Sequence, residues 1–149
     1  MIADWKERID RRQRAHFYVA EKFNKYHYAI GLPATICAAV AGATLFTEVS
    51  DARVRMAVGA IGLIAAVLSA IQTFYSHAKR GEQHRTSAAQ LGRVRREIEI
   101  FEQFTPQSKK EQEEKIREIN EAMAKIEEDA PVVSSISDAI ARTTLTLGR

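Results

Sequence analysis

Two stretches of the chain carry no charged side chain: AIGLPATICAAVAGATLFT, residues 29–47, and MAVGAIGLIAAVLSAIQTFYS, residues 56–76. They run 19 and 21 residues and are parted only by the eight residues EVSDARVR. The hydrocarbon core of a bilayer takes about 20 apolar residues of helix to cross, so each stretch is long enough to span. A buried hairpin inside a soluble α-domain would also read as apolar all round. Two wholly uncharged runs joined by a minimal turn favour the membrane. A secretory signal is not expected, because the first run begins near residue 29, follows a charged helical segment and is trailed by a second run. The pattern predicts an all-α membrane protein built on a two-span transmembrane helical hairpin, with spans at 29–47 and 56–76 and a turn at 48–55.

The flanking segments are helical but amphipathic. Residues 1–28 contain no Gly or Pro, and Trp5, Ile9, His16, Ala20, Phe23 and His27 fall near one face at helical spacing. Phe17, Tyr18, Phe23, Tyr26 and Tyr28 gather toward the end of this N-terminal helix, where tyrosines suit the headgroup level. Gly31 and Pro33 predict a kink or a fresh start before the first span.

Beyond the second run, residues 76–104 read as its helical continuation, weakened locally at Gly81 and Gly92. Leu91, Val94, Ile98 and Phe101 step by three, four and three residues, which is a heptad seam. TPQS at 105–108 breaks it, and Ile116, Ile119, Met123 and Ile126 then repeat the same steps within residues 107–129. Two matched seams around a short break predict an antiparallel helical hairpin over residues 77–129. The second of these helices is acidic and polar elsewhere. Its seam must face the preceding helix, the N-terminal helix or another subunit. Ala130 and Pro131 end it, leaving a tail at 130–149 with a short amphipathic stretch around Ile136 to Ile140 and low order expected at the extreme end.

Composition sharpens this picture in two places. The 149 residues leave room for one domain, and the mean hydropathy of −0.25 averages apolar spans with densely charged flanks. The single cysteine, Cys37, lies inside the first span, so no internal disulfide forms. The net charge of +3 matters less than its distribution. Residues 1–28 carry seven Lys/Arg against four acids, residues 77–96 carry six against Glu82 alone, and residues 97–129 carry eleven acids against five bases. The turn offers only Arg53 and Arg55, offset by Glu48 and Asp51. Basic residues beside a span favour the cytoplasmic side, so both termini are expected in the cytoplasm. Attraction to anionic headgroups accounts for the basic belt, and no nucleic-acid partner is expected.

No catalytic, cofactor-binding or metal-binding set assembles. There is no Gly-rich phosphate loop, no pair of cysteines and no His-Glu-x-x-His. His77 and His84 share a helix face, but with Arg, Lys and Gln around them they make a poor metal site. His16 and His27 suit a polar–apolar boundary. The chain is not expected to be an enzyme or to need a cofactor.

Small residues within the spans are more informative. Ala34, Ala38 and Gly42 recur every four residues on the first; Gly62, Ala66 and Ala70 do so on the second, with Gly59 and Ser69 nearby. Such strips let helix backbones approach closely in lipid. They either close the hairpin on itself or face neighbouring subunits, and two helices per chain can enclose a pore only as a homo-oligomer. Thr35, Thr44, Ser69 and Thr73 can bond to their own helix backbone. Gln72 needs a partner elsewhere, across to another helix or at a pore mouth.

The block LSAIQTFYSHAKRGEQHRTSAAQL at residues 68–91, preceded by GLPATICAAVAGATLF and by Trp5, Arg12, Ala15 and His16, resembles the SLATT family of two-span effectors of prokaryotic conflict systems. The resemblance covers about the first hundred residues. It implies an oligomeric effector that opens the bacterial inner membrane in an anti-phage, abortive-infection response. The signal would come from a separate sensor protein or a nucleotide messenger, because no sensor domain is fused here. A membrane-anchored scaffold recruiting a partner through residues 77–129 is the alternative. A membrane-shaping protein working through the basic belt and the N-terminal helix is a third reading.

Overall fold

The computed structural model describes residues 2–44, 51–104 and 106–134, all helical or connecting, with no strand among them. Four helices follow in chain order: α1 (Ile2–Ala43), α2 (Ala52–Tyr75), α3 (His77–Gln103) and α4 (Lys109–Asp129). They form two compact units. One comprises residues up to Glu21 with those from Gly81, and the other is Lys22–Arg80. The expected tail helix around Ile136 to Ile140 lies outside the described residues, as do residues 45–47 of the first span and 48–50 of the turn.

The first unit is a three-helix arrangement of the start of α1 with α3 and α4. Its core is Ile9 from α1, Leu91, Val94 and Ile98 from α3, and Ile119 and Met123 from α4, flanked by Ile2, Trp5, Ala122 and Ile126. Ile9, Ile98 and Ile119 are fully enclosed. Burying such side chains stabilises by about 1.5–3 kcal/mol each. α4 therefore turns its seam to α3 and α1 of its own chain. Phe101 is also buried, while Ile116 and Ile126 at the ends of the α4 seam are half-buried. α1 and α3 run antiparallel, as the ion pairs Lys6–Glu102 (2.8 Å) and Asp10–Arg95 (2.7 Å) show. These pairs are partly exposed, so their contribution is small beside that of the core.

In the second unit α1 and α2 form an antiparallel pair on one register. The space at Gly31 is closed by Gln72, and ten residues further along α1 the Ala41 side chain meets the space at Gly62. Asp51 caps α2, accepting from the Arg53 N–H at 2.7 Å, a bond from the N-cap to the second helical residue. This cap starts α2 at Ala52, four residues earlier than the hydrophobic run alone suggests.

One expectation about continuity is narrowed, since of the kink or fresh start at Gly31 and Pro33 only the fresh start is excluded, and a second is corrected. α1 does not restart at Gly31 and Pro33; Pro33 lies inside one helix. Proline removes one donor and crowds the carbonyl four residues back, and the turns on either side hold the helix through it. Conversely, α2 does not pass without a break into the next helix. Ser76 adopts the left-handed conformation (φ 46, ψ 43) and ends α2, with its N–H bonded to the Gln72 carbonyl. α3 starts immediately, its Arg80 N–H reaching the Ser76 carbonyl at 3.1 Å. Left-handed backbone at a residue with a Cβ costs roughly 1–2 kcal/mol, and Ser76 Oγ offsets part of it by donating to the Thr73 carbonyl at 3.1 Å.

Candidate functional site

The apolar surface of the second unit faces outward. The helical run Ala52–Gln103, interrupted only at Ser76, contains an 18-residue window of mean hydropathy 2.1 of which 6% is buried. This is the one helix among the described residues long and apolar enough to cross a membrane. The uncharged run at 29–47 is described only as far as Thr44. Phe74 is 83% exposed and Leu63 68%, and on α1 Leu32 and Ile36 are exposed too. A core helix of a soluble protein would hide such residues.

The small residues divide between two faces. Ala34 is buried, and Gly62 is half-buried against Ala41. Gly42 and Gly59 have nothing within 4 Å of where a Cβ would stand, and Ala38, Ala66, Ser69 and Ala70 are exposed. One strip thus closes the α1–α2 pair, and the other lies on its outside. Ala65, which the four-residue spacing skips, is the buried residue of α2.

Hydroxyls in the apolar runs bond to their own helices: Thr35 donates to the Gly31 carbonyl at 2.9 Å and Thr73 to the Ser69 carbonyl at 2.9 Å. Thr44 donates to the Ala41 carbonyl at 2.8 Å. Gln72 does not. Its Nε2 donates across to His27 Nδ1 at 3.0 Å, while the same amide fills the space over Gly31. His77 sits among the rings of Phe23, Tyr26 and Tyr75, the last stacked on it at 5.5 Å.

The first unit holds a pair that the sequence reading missed. His16 on α1 and His84 on α3 are both buried, with Nδ1 to Nδ1 at 3.0 Å. Since two neutral imidazoles can share one N–H···N bond, one Nδ1 donates and the other accepts. Burial pushes His16 down from 6.5 to about 4, helped by His84 and by the nearby positive Arg12. His84 is also lowered, by burial. Ala15, Ala20, Ser87 and Ala88 are buried in the same unit. A cleft of about 540 Å³ opens beside His16, lined by Arg11, Arg12, Leu91, Ile126, Glu127 and Pro131 among others. Arg12 is paired with Glu127 of α4 across it. Among the described residues no three His, Cys, Asp or Glu side chains stand close enough to hold a metal ion.

The signal for this pair lay in the heptads. His16 follows Ile9 by seven residues, and His84 precedes Leu91 by seven. Each histidine occupies the next core position of its own helix. Comparison with models of protein families, with curated proteins and with solved structures finds no match.

Proposed function

We propose that this chain is an oligomeric, pore-forming membrane effector. Residues 29–47 and 56–76 cross the bacterial inner membrane as a hairpin, both termini lie in the cytoplasm, and the membrane is permeabilised when a separate sensor signals phage infection. One observation carries the reading. An apolar window of mean hydropathy 2.1 is left 6% buried, so its surface calls for lipid or for further copies of the chain. The outward strip of Ala38, Gly42, Gly59, Ala66 and Ala70 supports association in lipid, since small residues let helices approach closely. The resemblance of residues 68–91 to the SLATT family supplies the conflict-system context.

The scaffold reading rests on a different observation. α4 gives its apolar seam to its own chain and leaves Glu111, Glu113 and Glu114 exposed in its first half, carboxylates that a basic partner could engage, while Glu118 and Glu121 pair with Lys115 and Arg117. The membrane-shaping reading loses ground. The N-terminal helix already uses Ile9, Ala15, His16 and Ala20 inside the three-helix unit, so that face is not available to a bilayer surface.

The deciding experiment is membrane potential in bacteria after induced expression, with and without a phage challenge. Depolarisation that disappears in Gly59→Leu supports the pore. A steady potential under both conditions, with an intact membrane-inserted protein, would replace it with the scaffold.

A further inference from the structure

We propose that His16 and His84 form a proton-operated latch between α1 and α3, closed while at least one ring is neutral and forced open when both are protonated. The geometry sets the rule. With Nδ1 to Nδ1 at 3.0 Å, the contact needs one donor and one acceptor. A single added proton leaves an imidazolium donating to a neutral ring, and the contact survives. A second proton turns both Nδ1 atoms into donors, and two like charges then face each other in a buried site.

The surroundings reinforce the repulsion. His84 from α3 and Arg12 from its own helix act on His16, and Arg11 of α1 and Glu127 of α4 line the cleft beside it. Glu127 is engaged by Arg12, whose positive charge disfavours a charged ring at His16. The buried neighbours Ala15, Ala20, Ser87 and Ala88 are small, whereas the large Ile9, Leu91 and Ile98 side chains begin two turns away on each helix. Opening is therefore local, and the core beyond it stays formed. The cleft beside His16 gives protons a route to the ring. The latch goes beyond the pore reading and stands without it.

The test places spin labels at the exposed positions Phe17 and Arg85 of the full-length chain, in a Cys37→Ala background and in lipid nanodiscs. The inter-label distance is followed from about pH 7.5 down to about pH 3, with the ring ¹⁵N signals of both histidines recorded in parallel. The distance is expected to lengthen by roughly 2 Å or more, in step with protonation of the second ring. In His84→Gln, whose amide keeps a bond to His16 but never titrates, the distance is expected to stay constant; His16→Gln serves the same purpose should that variant misfold. An unchanged distance in the parent chain with both rings protonated would overturn the latch. So would equal opening in the glutamine variants, or a pair that does not take up its second proton anywhere in the range.

Discussion

The amide of Gln72 lies directly over the backbone of Gly31, so close that a methyl group at residue 31 would stand 2.6 Å from Nε2. The same Nε2 bonds His27, so glycine here makes room for the polar link between α1 and α2. Gly31→Ala is expected to push the amide away and break that bond. Interhelical hydrogen bonds in lipid average about 0.6 kcal/mol, so Gln72→Leu should lose about that much, while Gly31→Ala sets the same loss against the helix propensity gained by replacing a glycine inside α1. Unfolding by denaturing detergent in mixed micelles measures both. A Gln72→Leu chain as stable as the parent would show that the bond to His27 contributes nothing to the pairing of α1 with α2.

Gly92 gives the contrasting case. A methyl there would stand 2.8 Å from Gln13 Nε2, the far end of a flexible side chain. Gln13 can swing toward solvent, and replacing a mid-helix glycine with alanine gains up to about 1 kcal/mol in helix propensity. Gly92→Ala is expected to leave α3 as stable as before or slightly more so, as read by amide exchange along that helix. A loss above about 1 kcal/mol would mean that Gln13 is held where it is.

The two glycine faces of the hairpin separate folding from assembly. Gly62 meets Ala41 of its own chain, so Gly62→Leu should pry α1 from α2 and lower the yield of folded protein. Gly42 and Gly59 have open space, and leucine there should leave the hairpin intact. Under the pore reading these two variants should lose cross-linked oligomers and dye leakage from vesicles. Unchanged oligomers and leakage in both would remove this outward strip from the subunit contact.

How much of this was legible in the sequence depends on the range of each signal. The seams Leu91–Val94–Ile98–Phe101 and Ile116–Ile119–Met123–Ile126 are local, because a helix repeats its own face every three or four residues. They led directly to α3, α4 and most of the core. The uncharged runs were legible for the same reason. Ser76 was not: nothing in Tyr75-Ser76-His77 marks a left-handed residue, and serine is an ordinary helix member. His16 and His84 stand 68 residues apart, and a polar residue at a core position ends an apolar pattern unless its partner is known. His16 already stood on the α1 face with Ile9, and extending the α3 seam by one heptad from Leu91 reaches His84.

The joint at Ser76 gives a further prediction. With φ at 46, glycine fits this position without the Cβ penalty, while valine meets a larger one. Ser76→Gly gives up the Oγ bond to Thr73 but relieves roughly 1–2 kcal/mol of backbone strain. Thermal stability in micelles is expected to rank glycine, then serine, then valine. Equal stability of Ser76→Val would mean that α2 and α3 can join through residue 76 without cost.

The histidine pair also makes the three-helix unit sensitive to acid, and the sign follows from direction alone. Both folded pKa values lie below the ordinary histidine value, so the unfolded chain binds more protons as pH falls through 6.5. Stability from the pair is complete above about pH 6.5 and declines toward about pH 4. For His16, a displacement from 6.5 to about 4 sets a ceiling of about 3 kcal/mol, at roughly 1.4 kcal/mol per pH unit. Amide exchange in α3, corrected for its intrinsic pH dependence, should lose protection around His84 across this window and keep it around Ile98. The double variant His16→Leu with His84→Leu should flatten the dependence. A dependence that survives in that variant would move the acid sensitivity from the pair to the carboxylates of α4.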